Sequence, residues 1–223
     1  MMGRYRLDNP ELNIAHPRPS KEELTSYSYN NQNIEIDDDG IIPFMGSESA
    51  FPDGVVIKVK HLLIATWGEE TLTDNLNFIR ECLGMDMERW LTEKFWGFHV
   101  RMYKKCPIYW LFTSNPESTQ SSAFQVLVYM HRLDKYIVQK IRNNYLHPHQ
   151  SWLKREIEKL IEDEASLSRE DQKRLTNLQH SEFECRDYDE ILKGLANRQI
   201  EIDLDDGVKI NIAKFKPAVA IVH

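Results

Sequence analysis

Histidines and aspartates are the residues of this chain with the plainest potential for metal binding. His147 and His149 flank a single proline, but no cysteine or further histidine follows at the spacings that zinc sites use. The aspartate run at residues 37–39, before Gly40, lacks the alternate oxygen ligands and the distal glutamate of a calcium loop, and a turn explains it better. The sequence therefore predicts no metal site.

The sequence also lacks a recognisable catalytic cysteine site and a glycine-rich phosphate-binding loop. Cys106 follows Lys104 and Lys105, cations that could activate its thiol, but no partner histidine and acid can be assigned. We interpret Cys106 as a small buried residue at the start of a strand. The nine glycines never occur as G-x-G, and no G-K-[ST] is present. Nucleotide hydrolysis by a glycine-rich phosphate loop is therefore excluded.

Cationic side chains are concentrated in the middle of the chain, where they could contact phosphate groups. Residues 98–155 hold nine basic and two acidic residues, whereas residues 1–97 hold 9 and 17, and residues 156–206 hold 7 and 16. Residues 207–223 add three lysines and no acid. This asymmetry favours a localised anionic partner; the alternatives are neutralisation by the acidic flanks and ordinary solvated surface. The candidate DNA-binding residues are Arg101, Lys104, Lys105, Arg132, Lys135, Lys140, Arg142, Lys154 and Arg155.

Length and composition indicate a folded chain of one or two domains. With 223 residues and 41% apolar side chains it can bury a core, and its net charge of −7 excludes a uniform coat on nucleic acid. No apolar run approaches the roughly 18 residues of a membrane span, and the first ten residues lack the apolar stretch of a secretory signal. Three widely spaced cysteines form no C-x-x-C pair, which predicts a reducing, cytoplasmic location.

The elements that must position the basic residues follow from hydrophobic patterning. Two runs rich in aromatic and β-branched residues, 108–113 and 123–130, predict a buried antiparallel strand pair. Apolar residues at helical spacing predict helices over 71–83 and 87–104, and a third that Asp134 caps and that stops near Pro148.

Turn and cap signals complete the predicted fold. Asp39-Gly40 and Asp206-Gly207 each interrupt an alternating apolar run and predict two β-hairpins. Residues 151–198 contain no proline, with a fresh N-cap at Ser168, and predict two long charged helices. The fold class is therefore α+β and helix-rich, with a small antiparallel sheet and hairpins packed with helices plus a long antiparallel helical hairpin. The predicted organisation is an extended arm or linker over 1–24, a mixed α+β domain over 25–146, the helical hairpin over 147–199, and a C-terminal β-hairpin or tail over 200–223 that returns to the α+β domain.

Several sequence blocks resemble one known family. Ile108-Tyr-Trp-Leu-Phe, Tyr129-Met-His-Arg and Asn144-Tyr-Leu-His-Pro, in this order, resemble the C-terminal part of the BREX (bacteriophage exclusion) adenine-specific DNA methyltransferases, the PglX family. The similarity continues in Trp67-Gly-Glu-Glu and in Asp203-Leu-Asp-Asp-Gly-Val-Lys-Ile-Asn. It spans most of the chain.

The resemblance implies a large enzyme that transfers a methyl group from S-adenosylmethionine to N6 of adenine in a short asymmetric DNA site. In that family the cofactor-binding and catalytic motifs lie upstream of the matching part. The catalytic Asn-Pro-Pro-Tyr or Asp-Pro-Pro-Tyr motif has no counterpart, since Asn9-Pro10-Glu11 and Asn115-Pro116-Glu117 lack the second proline and the aromatic ring. We therefore expect the chain alone to be non-catalytic and to hold no cofactor, with S-adenosylmethionine bound by the parent enzyme.

Two hypotheses about function follow. The first is a DNA-holding or target-recognition module of an N6-adenine methyltransferase in a phage-defence system, whose partners are double-stranded DNA and the catalytic methyltransferase domain, without a membrane. The alternative is a protein-interaction module whose helical hairpin docks other phage-defence proteins. The first predicts duplex binding by the basic residues, and the second predicts a stable complex with partner proteins.

Overall fold

The structure is a computed structural model, and it describes residues 26–29, 32–35, 39–46, 49–51, 54–162 and 167–222. The predicted arm over residues 1–24 lies outside the described residues. The strands are β1 (Ser26–Tyr29), β2 (Gln32–Glu35), β3 (Ile41–Pro43), β4 (Tyr109–Thr113) and β5 (Gln125–Tyr129). The helices are α1 (Val55–Trp67), α2 (Leu72–Leu83), α3 (Met87–Glu93), α4 (Phe95–Met102), α5 (Ile137–Lys140), α6 (His147–Glu162), α7 (Arg169–Asn197) and α8 (Gly207–Ala213).

A three-stranded antiparallel sheet with the order β3-β5-β4 forms the centre of the molecule. The predicted pairing of the two aromatic and β-branched runs is confirmed, with Trp110 opposite Val128. Successive side chains point to opposite faces: Trp110 packs into the cluster formed with α5, α6 and α7, while Leu111 packs with Trp96 and Val100 of α4. Because helices cover both faces, nearly every residue of β4 and β5 is buried. The helix-rich α+β class is thereby confirmed.

The hairpin predicted around Asp39-Gly40 is wrong. The β2 strand pairs with β1, and β3 pairs with β5 instead of turning back on β2. The Asp39 side chain accepts a hydrogen bond from the Ile41 backbone N–H at 2.9 Å, so the Asp-Gly pair starts β3 and does not close a hairpin. The central strand gives Ile41 a fully buried position, which a two-stranded hairpin would not.

Two predicted helices have different ends from those expected. The helix predicted over 87–104 is divided at Lys94 into α3 and α4, and Phe95 at this break contacts the rings of Phe44 and Trp90. The helix predicted to stop near Pro148 continues through it, because a π-helical segment, Ile141–Leu146, connects α5 to α6. Proline lacks a backbone donor and its ring clashes with the carbonyl four residues earlier, so the wider turn accommodates it.

The helices α6 and α7 run antiparallel along each other. Glu156 of α6 contacts Arg174 of α7, and Gln150, nearer the start of α6, donates to the carbonyl of Cys185, further along α7. Earlier residues of α6 therefore lie beside later residues of α7. The predicted N-cap at Ser168 is present as a capping box with Asp171.

The C-terminal β-hairpin predicted around Asp206-Gly207 is wrong, since α8 begins at Gly207. Asn211 on α8 is buried and its side chain bonds to the backbone of Asp203 and Gly207, which favours a helical turn over alternating strands. The segment after α8 does return to the sheet: Thr113 donates to the Ala218 carbonyl at 3.0 Å. The domain boundaries proposed from sequence remain predictions.

Candidate nucleic-acid interface

The strand pairing brings two basic segments to the same end of the sheet. Tyr109 at the start of β4 is paired with Tyr129 at the end of β5. Beyond this pair the Met130 backbone N–H donates to the Ile108 carbonyl at 2.9 Å. The residues that follow α4 therefore lie at the end of the sheet from which residues 131–132 leave β5.

The first segment is the tight turn at the end of α4, residues 101–105, which we call the basic turn. Arg101, Lys104 and Lys105 are exposed in it. Lys104 and Lys105 have φ angles of 50° and 64°, in the left-handed region that favours glycine. The Lys104 and Lys105 backbone N–H groups donate to the carbonyls of Arg101 and Val100 at 3.0 and 2.9 Å, so helix-terminating hydrogen bonds hold this conformation.

A buried histidine ties the basic turn to the sheet. His99 Nε2 accepts a hydrogen bond from the Tyr109 backbone N–H at 3.2 Å, and its ring contacts the Tyr103 ring at 4.7 Å. Burial lowers the pKa of His99, which favours the neutral imidazole that can accept this bond. The end of α4 is thus fixed to the start of β4.

The left-handed conformation makes a prediction about stability. Replacing Lys104 by glycine should raise the free energy of unfolding by about 0.5–1 kcal/mol, because glycine adopts a positive φ without the clash of a β-carbon. Gln199→Gly is the matched comparison, since Gln199 also has a positive φ, 44° just after α7, and by the same argument should gain stability. Urea unfolding of both variants measures the change. A loss of stability in Lys104→Gly would contradict the assignment of strain to this turn.

Two of the predicted cations are already paired with carboxylates. The Arg142 guanidinium donates to both oxygens of Asp189, with Nε at 2.7 Å and a terminal nitrogen at 2.9 Å, and His147 Nε2 lies 2.9 Å from the same carboxylate. Burial alone would raise the pKa of Asp189, but the hydrogen bonds from Arg142 and His147 lower it below its ordinary value. Lys140 Nζ lies 2.7 Å from Asp134. Arg142 and Lys140 therefore serve internal ion pairs.

The remaining predicted cations are distributed over different surfaces. Lys135 Nζ lies 5.3 Å from the centroid of the Tyr136 ring. Arg132 leaves β5 at the same end of the sheet as the basic turn. Lys154 and Arg155 are exposed on α6, which meets the sheet through His149 at residue 123, at the opposite end of β5. The structure thus brings together the basic turn and Arg132 and separates Lys154 and Arg155 from them.

Two lysines that the sequence-based site did not include join the basic turn. Lys209 of α8 and Lys216 of the C-terminal segment line a cavity of about 190 Å³ together with Lys105. The sequence feature that points to these lysines is the stretch 207–223, which has three lysines and no acidic residue.

A second cavity, of about 320 Å³, lies between the sheet and the helices α6 and α7, and His149 lines it. His149 is 3% exposed and its ring stacks on Trp152 with centroids 5.6 Å apart. Its Nε2 bonds to the Ala123 carbonyl at 3.1 Å, while its Nδ1 is buried and has no hydrogen-bond partner among the described residues. Burial lowers the pKa of His149 to about 4, against the bond to Ala123, which raises it.

The structure does not group the residues considered for metal binding into a metal site within the described part of the chain. The Nε2 atom of His147 is hydrogen-bonded to Asp189, and that of His149 is hydrogen-bonded to the Ala123 carbonyl. In the described part of the chain, no three His, Cys, Asp or Glu side chains are grouped to hold a metal ion.

The expectation that Cys106 is buried is wrong: it is exposed, because the turn before β4 leaves the sheet surface. Across the described residues, no helix has the length and apolar composition of a membrane span.

The chain is similar to adenine-specific methyltransferases from two bacteria. It is 37% identical to the adenine-specific methyltransferase BrxX of Escherichia coli O9:H4 (strain HS) over 244 residues, covering 99% of this chain and 19% of that protein. It is 32% identical to the adenine-specific methyltransferase PglX of Lacticaseibacillus casei (strain Zhang) over 229 residues, covering 96% of this chain and 18% of that protein. No family model matches the chain.

These similarities confirm the resemblance found in the sequence blocks and are consistent with a C-terminal region of such a protein. The chain spans about a fifth of the length of the curated relatives it matches.

Proposed function

We propose that this chain is a non-catalytic part of an adenine-specific DNA methyltransferase of the BrxX and PglX type, and that it holds double-stranded DNA. The relatives are named adenine-specific methyltransferases, and the chain matches only about a fifth of each. An enzyme that modifies a base inside a duplex must hold the duplex while the base is extruded. A region without the catalytic motif can supply such contacts.

The cofactor and the biological setting belong to this proposal as well. S-adenosylmethionine would be held by the remainder of the longer enzyme, because this chain has neither the Asn-Pro-Pro-Tyr motif nor a G-x-G loop. The family resemblance supports a role of the enzyme in a phage-defence system, and the catalytic domain would be the protein partner of this chain.

The observation that carries the DNA-holding role is the basic turn. Arg101, Lys104 and Lys105 are exposed and form no ion pair within the described residues, whereas Lys140 and Arg142 are bound to carboxylates. Lys104 and Lys105 in this turn adopt a left-handed conformation that is strained for a residue with a side chain, and such strain clusters at functional sites. In a chain of net charge −7, these cations offer phosphate a localised site.

Duplex binding by charge-neutralised variants tests the proposal. In Lys104→Gln/Lys105→Gln we expect duplex affinity to fall about three- to tenfold, and the slope of log affinity against log salt to decrease by about 1 to 2, since each phosphate contact contributes about 0.9. Fluorescence anisotropy with a labelled duplex of about two helical turns, at several salt concentrations, measures both. Identical affinity and slope would remove the basic turn from the proposal.

The matched control is Arg169→Gln/Lys173→Gln, which removes the same charge from exposed positions on α7. This control should leave affinity and slope close to those of the unchanged protein. An equal loss in both double variants would indicate that net charge alone determines binding, and that the basic turn is not a site.

A specific observation also favours the protein-interaction alternative. Phe183 on α7 and Ile161 on α6 are large apolar side chains that are 53% and 45% exposed. Arg186 lies over the Phe183 ring, 4.9 Å from its centroid, so an apolar and cationic spot is presented on the antiparallel helices. If duplex affinity is absent in the first experiment, docking of the helices on another protein becomes the better account.

A further inference from the structure

We propose that the cavity lined by Lys105, Lys209 and Lys216, which we call the lysine notch, is a phosphate-binding site. Lys105 of the basic turn lies about one hundred residues along the chain from the other two cations, Lys209 of α8 and Lys216 of the C-terminal segment. Affinity for phosphate follows from the notch itself, whereas its identification with a phosphate of duplex DNA rests on the proposed function.

The notch is lined by three lysines and otherwise by apolar residues. Its volume of about 190 Å³ can hold a compact anion, and none of its described lining residues is acidic. Apolar surroundings exclude water and lower the local dielectric, so charges at the rim act more strongly on an anion than they would on an open surface. The apolar lining residues are Val208, Ile212, Ala213, Val219, Ala220, Ile221 and Val222.

Ion pairs in the described part of the chain distinguish the three lysines from a neighbouring lysine. Among the described residues, none of them lies within ion-pair distance of a carboxylate. The neighbouring Lys214 behaves differently, since its Nζ lies 3.2 Å from Asp206 and 2.9 Å from Asn211. Three unpaired ammonium groups around one small cavity repel each other, and a bound anion would relieve that repulsion. Lysine ammonium groups bind phosphate as point charges.

Both sides of the notch are held before any ligand arrives. The Lys105 backbone N–H is bonded to the Val100 carbonyl at 2.9 Å, which fixes the basic turn on α4. On the other side, Ala220 donates to the Leu111 carbonyl at 2.8 Å, which fixes the C-terminal segment on β4. A site formed by anchored segments loses little conformational entropy on binding.

Titration with inorganic phosphate, followed by the backbone amide signals of the full chain in NMR spectra at constant ionic strength, tests the notch. We expect saturable shifts confined to residues 104–106 and 208–222, and at least tenfold weaker binding in Lys209→Gln/Lys216→Gln. Both side chains are exposed, so this variant should fold normally. Lys214→Gln is the matched control and should titrate like the unchanged protein.

Absent saturation, or equal binding by the double variant, overturns the notch. A second titration with duplex DNA distinguishes the notch from the proposed function. If phosphate saturates the notch and the duplex leaves these signals unchanged, the phosphate site stands and its identification with DNA is wrong. If the duplex shifts the basic turn but phosphate does not saturate the notch, the DNA-holding role stands and the phosphate site is wrong.

Discussion

Acidification from pH 6.5 to pH 4 is expected to remove about 3 kcal/mol from the free energy of unfolding through His149 alone. The imidazole is buried against Trp152, and its Nε2 faces the Ala123 carbonyl, which can only accept a hydrogen bond. Nε2 therefore carries the proton of the neutral ring. A second proton would have to enter at Nδ1, which is buried and has no partner in the described part of the chain that could stabilise the charge.

The direction of this effect follows from the two pKa values. In the folded chain the pKa of His149 is about 4, while in the unfolded chain it is near its ordinary value of about 6.5. Between these values the unfolded chain binds a proton and the folded chain does not, so stability is intact above about pH 6.5 and declines as the pH falls towards 4. Burial also lowers the pKa of His99, which acts in the same direction. Below this window Asp189 and Glu156 take up protons, and because their pKa values are lowered in the folded chain, this protonation reduces the free energy of unfolding further.

The difference between a variant and the unchanged protein isolates His149. In His149→Gln the slope of stability against pH between 6.5 and 4 should be smaller, leaving the contribution of His99. Urea unfolding at pH 7, 5.5 and 4.5 measures the slopes. His180→Gln is the control, because His180 is an exposed histidine on α7. If His149→Gln and the unchanged protein lose stability in parallel, His149 does not determine the acid sensitivity of the fold.

The parts of the fold that the sequence predicted correctly are those that depend on local signals. The strands β4 and β5 consist of aromatic and β-branched residues with few competing conformations, and the Ser168 cap is a contact between residues three positions apart. The errors came from choices that tertiary contacts decide. Asp39-Gly40 can close a hairpin or start a strand. Here it starts β3, because pairing with β5 gives Ile41 a buried position. Pro148 usually ends a helix, but packing of α6 on α7 keeps it helical through a π-helical segment.

The candidate interface shows the same division. The charge pattern located the basic turn, but it could not tell a free cation from a paired one. Arg142 meets Asp189, which lies 47 positions further along the chain. Lys216 reaches the basic turn only because the C-terminal segment bonds to β4. Cys106 was expected to be buried because an apolar strand follows it, and the left-handed turn exposes it instead.

The Arg142 and Asp189 contact gives the second large effect. Asp189→Ala is expected to lower the free energy of unfolding by about 2 kcal/mol, because it leaves a partly buried guanidinium without its anion. The Asp189 side chain is 16% exposed and that of Arg142 is 25% exposed. Asp189 also accepts from His147, so one carboxylate connects α7 to the π-helical segment and to the start of α6. Solvent cannot replace these bonds as fully as it does for a pair on the open surface.

Glu190→Ala is the matched control for this prediction. Glu190 is the next residue on α7 and pairs with Lys193 at 3.2 Å in an exposed position, so its loss should change stability by less than about 0.5 kcal/mol. Urea unfolding of both variants at pH 7, together with Arg142→Ala and the double variant, gives a coupling energy that we expect to be about 1 to 2 kcal/mol. Equal losses in Asp189→Ala and Glu190→Ala would show that the contact between Arg142 and Asp189 is only a surface pair. Arg142 would then be available to phosphate, and the basic region would extend from the end of the sheet onto the π-helical segment.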